Sequence, residues 1–151
     1  MRRIAAVILA TAVLAFFAGA ADKKLALKDL PAAVQKTVSD NLKGAEIKSI
    51  GKEKENGVEQ FEVETMLAGK HRDFNVDAKG KLLLVEEETA IDAIPTAAKA
   101  AILKKVGAGK LTMVETFTKT GEAAMYEAGY TTKAGKKMEV LVKADGAETK
   151  E

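Results

Sequence analysis

Two hydrophobic periods take turns along this chain. Leu30, Val34, Val38 and Leu42 recur every fourth residue, which places them on one face of a helix. Ile94, Ala98, Ile102 and Val106 repeat that stripe. After the first stripe the period falls to two: Phe61, Val63 and Thr65 alternate with Gln60, Glu62 and Glu64. This predicts a strand with one buried face and one wet face. Phe74 and Val76 continue the inward set, a turn follows around Asp77 to Gly80, and Leu82 and Leu84 lead back. After the second stripe, residues 111–118 form an extended run that turns at Gly121. Tyr126 and Tyr130 then face inward, and Met138, Val140 and Val142 lead to a turn at Asp145-Gly146.

Punctuation supports the same division. The chain has only two prolines, and they open the look-alike segments LPAAVQKTV and IPTAAKAAI. Proline suits a first helical turn, where its missing N–H costs nothing. Asp29 is placed to cap the first helix, and Gly44 to end it. Gly107 or Gly109 ends the second. Asn56-Gly57 is a tight-hairpin dipeptide. The correspondence extends further. Leu30, Pro31, Val38, Ile47 and Gly57 meet Ile94, Pro95, Ile102, Leu111 and Gly121 at a constant offset of 64. With one inserted residue Phe61 meets Tyr126, and with one more Phe74, Val76 and Gly80 meet Val140, Val142 and Gly146. A slowly drifting offset of this kind is what a diverged duplication looks like.

The expected architecture is therefore α+β. Two tandem α-β-β-β(-β) units, 22–88 and 89–151, form one continuous antiparallel sheet with both helices on one face. EEETAIDAI, before the second proline, is expected to be the linker. The second unit ends in AETKE where the first has KLLLVEEE. Its last strand should be absent or a polar edge, which would also discourage edge-to-edge pairing.

The first 21 residues change the picture of compartment and charge. Arg2 and Arg3 precede an apolar stretch, and small residues follow, with cleavage expected before Ala21 or Asp22. This reads as a secretory signal peptide, because the stretch falls short of the roughly 20 residues of a membrane span. A periplasmic or secreted location follows, without membrane insertion after cleavage. Of the 24 basic residues two leave with the leader, and none of the 22 acidic ones does. The remaining chain is formally neutral, with no long-range pull toward nucleic acid. There is no cysteine, which excludes disulfides, thiolate metal sites and a lipid-attached cysteine.

A signal peptide, an LP-initiated amphipathic helix, short antiparallel strands and a D-x-x-G-K hairpin together resemble the PepSY-like domains of exported bacterial proteins. The residues that carry the likeness are Leu30, Pro31, Phe61, Phe74, Val76, Asp77, Gly80 and Lys81. Their counterparts are Ile94, Pro95, Tyr126, Val140, Val142 and Gly146, and the second copy departs at Lys143, where the first has Asp77. The tandem arrangement also resembles the fold of the β-lactamase-inhibitor proteins, whose sheet presents a concave face to an enzyme. The resemblance implies a non-catalytic module that binds or inhibits another exported protein, possibly a hydrolase. It brings no catalytic residue and no cofactor.

The residues themselves agree on catalysis. Ser39 and Ser49 are the only serines and neither sits in a nucleophile elbow. No phosphate-cradling glycine loop opens a helix. His71, the only histidine, is expected on the open face with Asp73 and Asn75, beside Glu62 and Glu64. Those residues could form a hard-cation or acid/base site. They equally describe a solvated face of alternating charge, and one histidine is too few for zinc. The acidic run 86–88 reads as a solvated strand end rather than a calcium loop, whose spaced ligands it lacks. The open face is the expected partner-binding surface: Glu62, Glu64, Met66, His71 and Asp73 from the first unit, and Met125, Glu127, Glu139 and Leu141 from the second. Its methionines and leucine would supply an adaptable centre within a polar rim. The alternative is an envelope protein that binds or senses a cation or small ligand through the same acidic face.

Overall fold

A computed structural model describes residues 25–55 and 57–150. The predicted leader and its cleavage site lie outside the described residues. After a 3-10 turn at Leu27–Asp29 come helix α1 (Ala32–Leu42) and strands β1 (Glu46–Glu55), β2 (Val58–Leu67), β3 (Lys70–Asp77) and β4 (Leu82–Glu88). A second 3-10 turn, Ile91–Ala93, leads to helix α2 (Thr96–Val106) and strands β5 (Lys110–Lys119), β6 (Met125–Thr131), β7 (Lys137–Val142) and β8 (Glu148–Thr149).

All eight strands form one sheet in the order β1 to β8, and every neighbouring pair is antiparallel. Each hairpin therefore pairs immediately with the next, and β4 against β5 joins the two halves. Across that seam Val85 faces Thr118, which shares its strand face with Val114. Val85 packs on the first core and Val114 belongs to the second, so both helices cover the same side of the sheet. The first core gathers Leu30, Val34, Val38, Ile50, Phe61, Val63, Phe74 and Val76. The second gathers Ile94, Ala98, Ile102, Val106, Val114, Ala128, Tyr130, Val140 and Val142. The fourfold stripes of both helices thus point where their period says.

Several rungs of the first half have counterparts in the second. Phe61 opposite Val76 corresponds to Tyr126 opposite Val142, and Val63 opposite Phe74 to Ala128 opposite Val140. Even the irregularity in the first strand recurs, between Ile47 and Ser49 and between Leu111 and Met113. Gly80 and Gly146 both take positive φ, and a Cβ on either would stand 2.7 Å from the carbonyl oxygen of Ala33 or Ala97 respectively. Only glycine lets these hairpins close against the helices.

Several local expectations need correction. Both helices start one residue after their proline: Pro31 and Pro95 are the capping residues, and their carbonyls accept from Gln35 and Lys99 at 2.9 Å. A proline there still forfeits no helical bond. Asp29 does not cap α1; its carboxylate accepts from the Ala26 N–H and closes the 3-10 turn. The left-handed residue ending α1 is Lys43, with Gly44 after it. Leu84 does not return with Leu82 to the core, because a bulge between Asn75 and Val76 turns it to the other face. Glu86, Glu87 and Glu88 are the end of β4, paired to β5, as the strand-end reading of that run has it, so the linker is shorter than EEETAIDAI. The final strand does form, as the short polar edge β8, held by Lys105 to both oxygens of Glu148 at 2.7 and 3.0 Å. Its hairpin lacks the equivalent of Asp77, and Asp145 accepts from the Ala147 N–H instead.

Arg72 lies on the helix side, as its strand parity requires. It is 3 % exposed and donates to the Asn41 carbonyl at the end of α1 (2.7 Å) and to Glu87 (2.8 Å). The guanidinium thereby satisfies a helix carbonyl that has no partner within the helix, and its charge suits the negative end of the helix dipole.

Candidate docking face

With the helices on one side, strand parity places the alternate side chains on the other, helix-free side, where Gln60, Asn75, Phe117, Glu127 and Leu141 are nonetheless buried. Side chains directly opposite in neighbouring antiparallel strands share a face, so the face can be read rung by rung. One rung runs Gly51, Glu62, Asn75, Leu84, Lys119 across β1 to β5. The next runs Asp73, Glu86, Phe117, Met125 across β3 to β6. A third runs Glu88, Glu115, Glu127, Leu141, Thr149 across β4 to β8. Glu64 opposes Ser49 and donates nothing, its carboxylate accepting the Ser49 hydroxyl at 2.5 Å. Met66 opposes His71, and Glu139 opposes Gly129.

All nine residues proposed from the sequence therefore stand on the open face, but in two groups. Glu62, Glu64, Met66, His71 and Asp73 occupy β2 and β3; Met125, Glu127, Glu139 and Leu141 occupy β6 and β7. What bridges them are residues that the sequence reading passed over: Leu84, Glu86, Glu88, Glu115 and Phe117, on β4 and β5. Their signal was present in the alternation of β5, where Val114 points in and Glu115 and Phe117 point out. An aromatic at an outward position reads as an inward one when parity is counted loosely.

The electrostatics of this face are one-sided. Burial first, and then the neighbouring Glu53, Glu64 and Asp73, push the Glu62 carboxyl up to about 7. Burial also raises Asp73, against the hydrogen bond that its carboxylate accepts from the Thr65 N–H (2.7 Å). That bond replaces the ladder where β2 and β3 part between Val63 and Met66. Glu115 is raised too, by burial and then by Asp73, Glu88 and Glu139, with His71 pulling the other way. His71 Nδ1 stands 3.9 Å from Asp73, beyond hydrogen-bond reach. Among the described residues no three His, Asp or Glu side chains come close enough together to hold a metal ion.

Toward the hairpin ends, the face dips into an open cleft of about 270 Å³. Val58, Leu83, Leu84 and Phe117 supply its apolar wall, and its polar edge carries both signs, with Lys81 and Lys119 beside Glu55 and Glu122. Phe117 is only 1 % exposed although it belongs to neither helix-side core, and the Lys119 ammonium lies over its ring, 5.6 Å from the centroid. Gln60 is fixed by donating to Glu53 and Glu55 (2.7 and 2.8 Å), and Asn75 by donating to Glu53 (3.2 Å). The cleft is thus built on side chains that are already held.

No family model and no curated protein matches the sequence. Solved structures do. A protein of Bacteroides eggerthii whose name proposes a periplasmic location superposes with a TM-score of 0.65 at 12% identity, over 80% of this chain and 86% of that one. A DUF2874 family protein of Bacteroides ovatus gives 0.62 at 12%, over 80% and 85%. A BLIP-like protein of Bacteroides fragilis gives 0.58 at 18%, over 80% and 84%. At these identities the likeness is one of fold, and the fold is BLIP-like: one antiparallel sheet, two helices on one side, the other side open.

Proposed function

We propose that this protein is an exported, non-catalytic binding module of PepSY-like type that docks another envelope or secreted protein through its open sheet face. The observation that carries this reading is the run Glu88, Glu115, Glu127 in one rung, with Asp73 opposite Glu86 in the next. Like charges directly opposite one another destabilise a sheet unless neighbouring groups offset them; here Glu88 accepts from the His71 N–H at 3.0 Å, and burial, Asp73, Glu88 and Glu139 raise Glu115. A partner that covers them with complementary charge gives the arrangement a use. The BLIP-like fold, the leader-like first 21 residues and the repetition of the two halves support the same reading, the last as the trace of a tandem duplication.

The reading predicts a partner that is lost on charge reversal. Envelope extract would be passed over the wild-type protein and over a Glu62→Lys/Glu64→Lys version shown by circular dichroism to be folded. One protein retained by the first and not by the second supports docking, and an inhibition assay follows if it is a hydrolase. Equal retention by both baits, or none by either, contradicts it. Saturable binding of a cation or small ligand by the protein alone, with a rise in melting temperature, would favour the sensing alternative.

A further inference from the structure

Main-chain pairing between β2 and β3 stops at Val63 opposite Phe74 and resumes at Met66 opposite His71. The register is the same on both sides of the interruption, so it is not a bulge, and Thr65 still faces Arg72 across it. Two side chains occupy the rung instead. The Thr65 hydroxyl donates to the Arg72 carbonyl, and the Thr65 N–H donates to the Asp73 carboxylate at 2.7 Å. The Arg72 carbonyl therefore already points at β2, where a regular antiparallel rung would give it the Thr65 N–H. Asp73 explains why it does not. Its side chain is only 16 % exposed, and a carboxylate taken out of water needs donors. From β2 Glu62 and Glu64 add negative charge, and from β4 Glu86 stands directly opposite. Glu115 on β5 is near enough to be raised by it. Glu88, the next open-face carboxylate of β4, is engaged by the His71 N–H at 3.0 Å. His71 and Arg72, on the strand of Asp73 itself, oppose these charges.

We propose that this rung is a proton-operated switch between two pairings of Thr65. With Asp73 charged, its carboxylate holds the Thr65 N–H and the ladder stays parted. With Asp73 neutral, the Thr65 N–H donates to the Arg72 carbonyl and the ladder runs unbroken from Gln60 to Leu67. The unchanged register lets the rung close without moving either neighbour. A carbonyl has two lone pairs, so the Thr65 hydroxyl keeps its bond to Arg72. A neutral carboxyl is a weaker acceptor than a carboxylate. It has no buried charge to support, and so no claim on an N–H that the carbonyl can satisfy. Burial raises the Asp73 carboxyl, so the switch turns above the ordinary range of an aspartate. The inference concerns the free protein and holds whether or not the open face docks a partner.

Scalar couplings across hydrogen bonds, read by NMR on the carbon- and nitrogen-labelled protein, name the acceptor of the Thr65 amide directly. At about pH 7 the Thr65 nitrogen should couple to the side-chain carboxylate carbon of Asp73. At about pH 3 that coupling should be lost and one to the Arg72 carbonyl carbon gained. The exchange of partners should follow the titration of the Asp73 carboxyl carbon itself. Asp73→Asn, which is neutral throughout, should show the Arg72 coupling at both pH values, with a Thr65 amide shift that no longer titrates. The wild-type titration decides the matter even where that variant does not fold. A Thr65 amide that keeps its Asp73 coupling at about pH 3 overturns the inference. So does one that loses it without gaining the Arg72 coupling, a change that follows the titration of His71 instead of Asp73, or a folded Asp73→Asn protein without the Arg72 coupling.

Discussion

Glu115 on β5 stands directly opposite Glu127 on β6, and on its other side directly opposite Glu88 on β4. Nothing in the packing of the helices demands this, since the helix-side residues of the same strands, Val114 and Ala128, already form their own rung. The acidic rung is a property of the open face alone.

Relieving it should stabilise the free protein. Glu115→Gln is expected to gain about 0.5–1 kcal/mol at pH 8, the scale of a cross-strand charge pair. Glu115 titrates above its unfolded value, so the wild type loses stability as pH rises through the folded pKa. The advantage of the glutamine variant should therefore be present at pH 8 and vanish at about pH 3, where both states are protonated. Thermal unfolding at the two pH values checks it; a variant less stable than wild type at pH 8 would show that the rung is not repulsive.

Glu62 makes a stronger case, because its carboxyl moves from 4.5 to about 7. The raised folded pKa means that stability is fully present below pH 4.5 and falls away as pH rises to 7. Glu62→Gln should match the wild type at low pH and exceed it at pH 8 by about 1–2 kcal/mol, a figure reduced from the full shift because the group remains partly solvated. Carbon-detected NMR titration of Glu62 gives the pKa directly.

The glycine hairpins predict a symmetrical pair of losses. Gly80→Ala and Gly146→Ala each place a Cβ 2.7 Å from a helix carbonyl, at positive φ. Each should cost about 2–3 kcal/mol, measured by urea unfolding. Gly121→Ala has no atom within 4 Å of the added carbon and should cost only the strain of its positive φ, about 1 kcal/mol.

Arg72 should behave as a buried tie rather than a surface charge. Arg72→Met strips the Asn41 carbonyl and Glu87 of their donor and is expected to cost about 2–3 kcal/mol. Arg72→Lys keeps the charge but not the fork, so most of that loss should remain. Urea midpoints of the two variants distinguish the fork from the charge.

The architecture was legible because it rests on periods and turn chemistry. The fourfold stripes, the proline at each helix start and the glycine turns fix helices, hairpins and inward faces, and Phe61, Phe74, Tyr126 and Tyr130 lie where parity puts them. Boundaries were less legible. A carboxylate run such as 86–88 is polar enough to read either as linker or as a solvated strand end, and pairing with β5 decides for the strand. The bulge that turns Leu84 outward leaves no mark in the hydrophobic pattern, since one extra residue in a strand flips every side chain after it. The nine open-face residues follow from alternation alone, but their continuity does not. It depends on β4 pairing with β5, a contact between halves that no local signal specifies, and with it come Phe117 and the cleft.

The docking claim is tested most directly by methyl NMR of the protein mixed with the partner captured from the envelope. Leu84, Met125 and Leu141 report the open face, and Leu103, 44 % exposed on α2, reports the helix side. The account predicts shifted or broadened Leu84, Met125 and Leu141 methyls with Leu103 unmoved. A shifted Leu103 with the three open-face methyls unchanged would place the partner on the helices and contradict it.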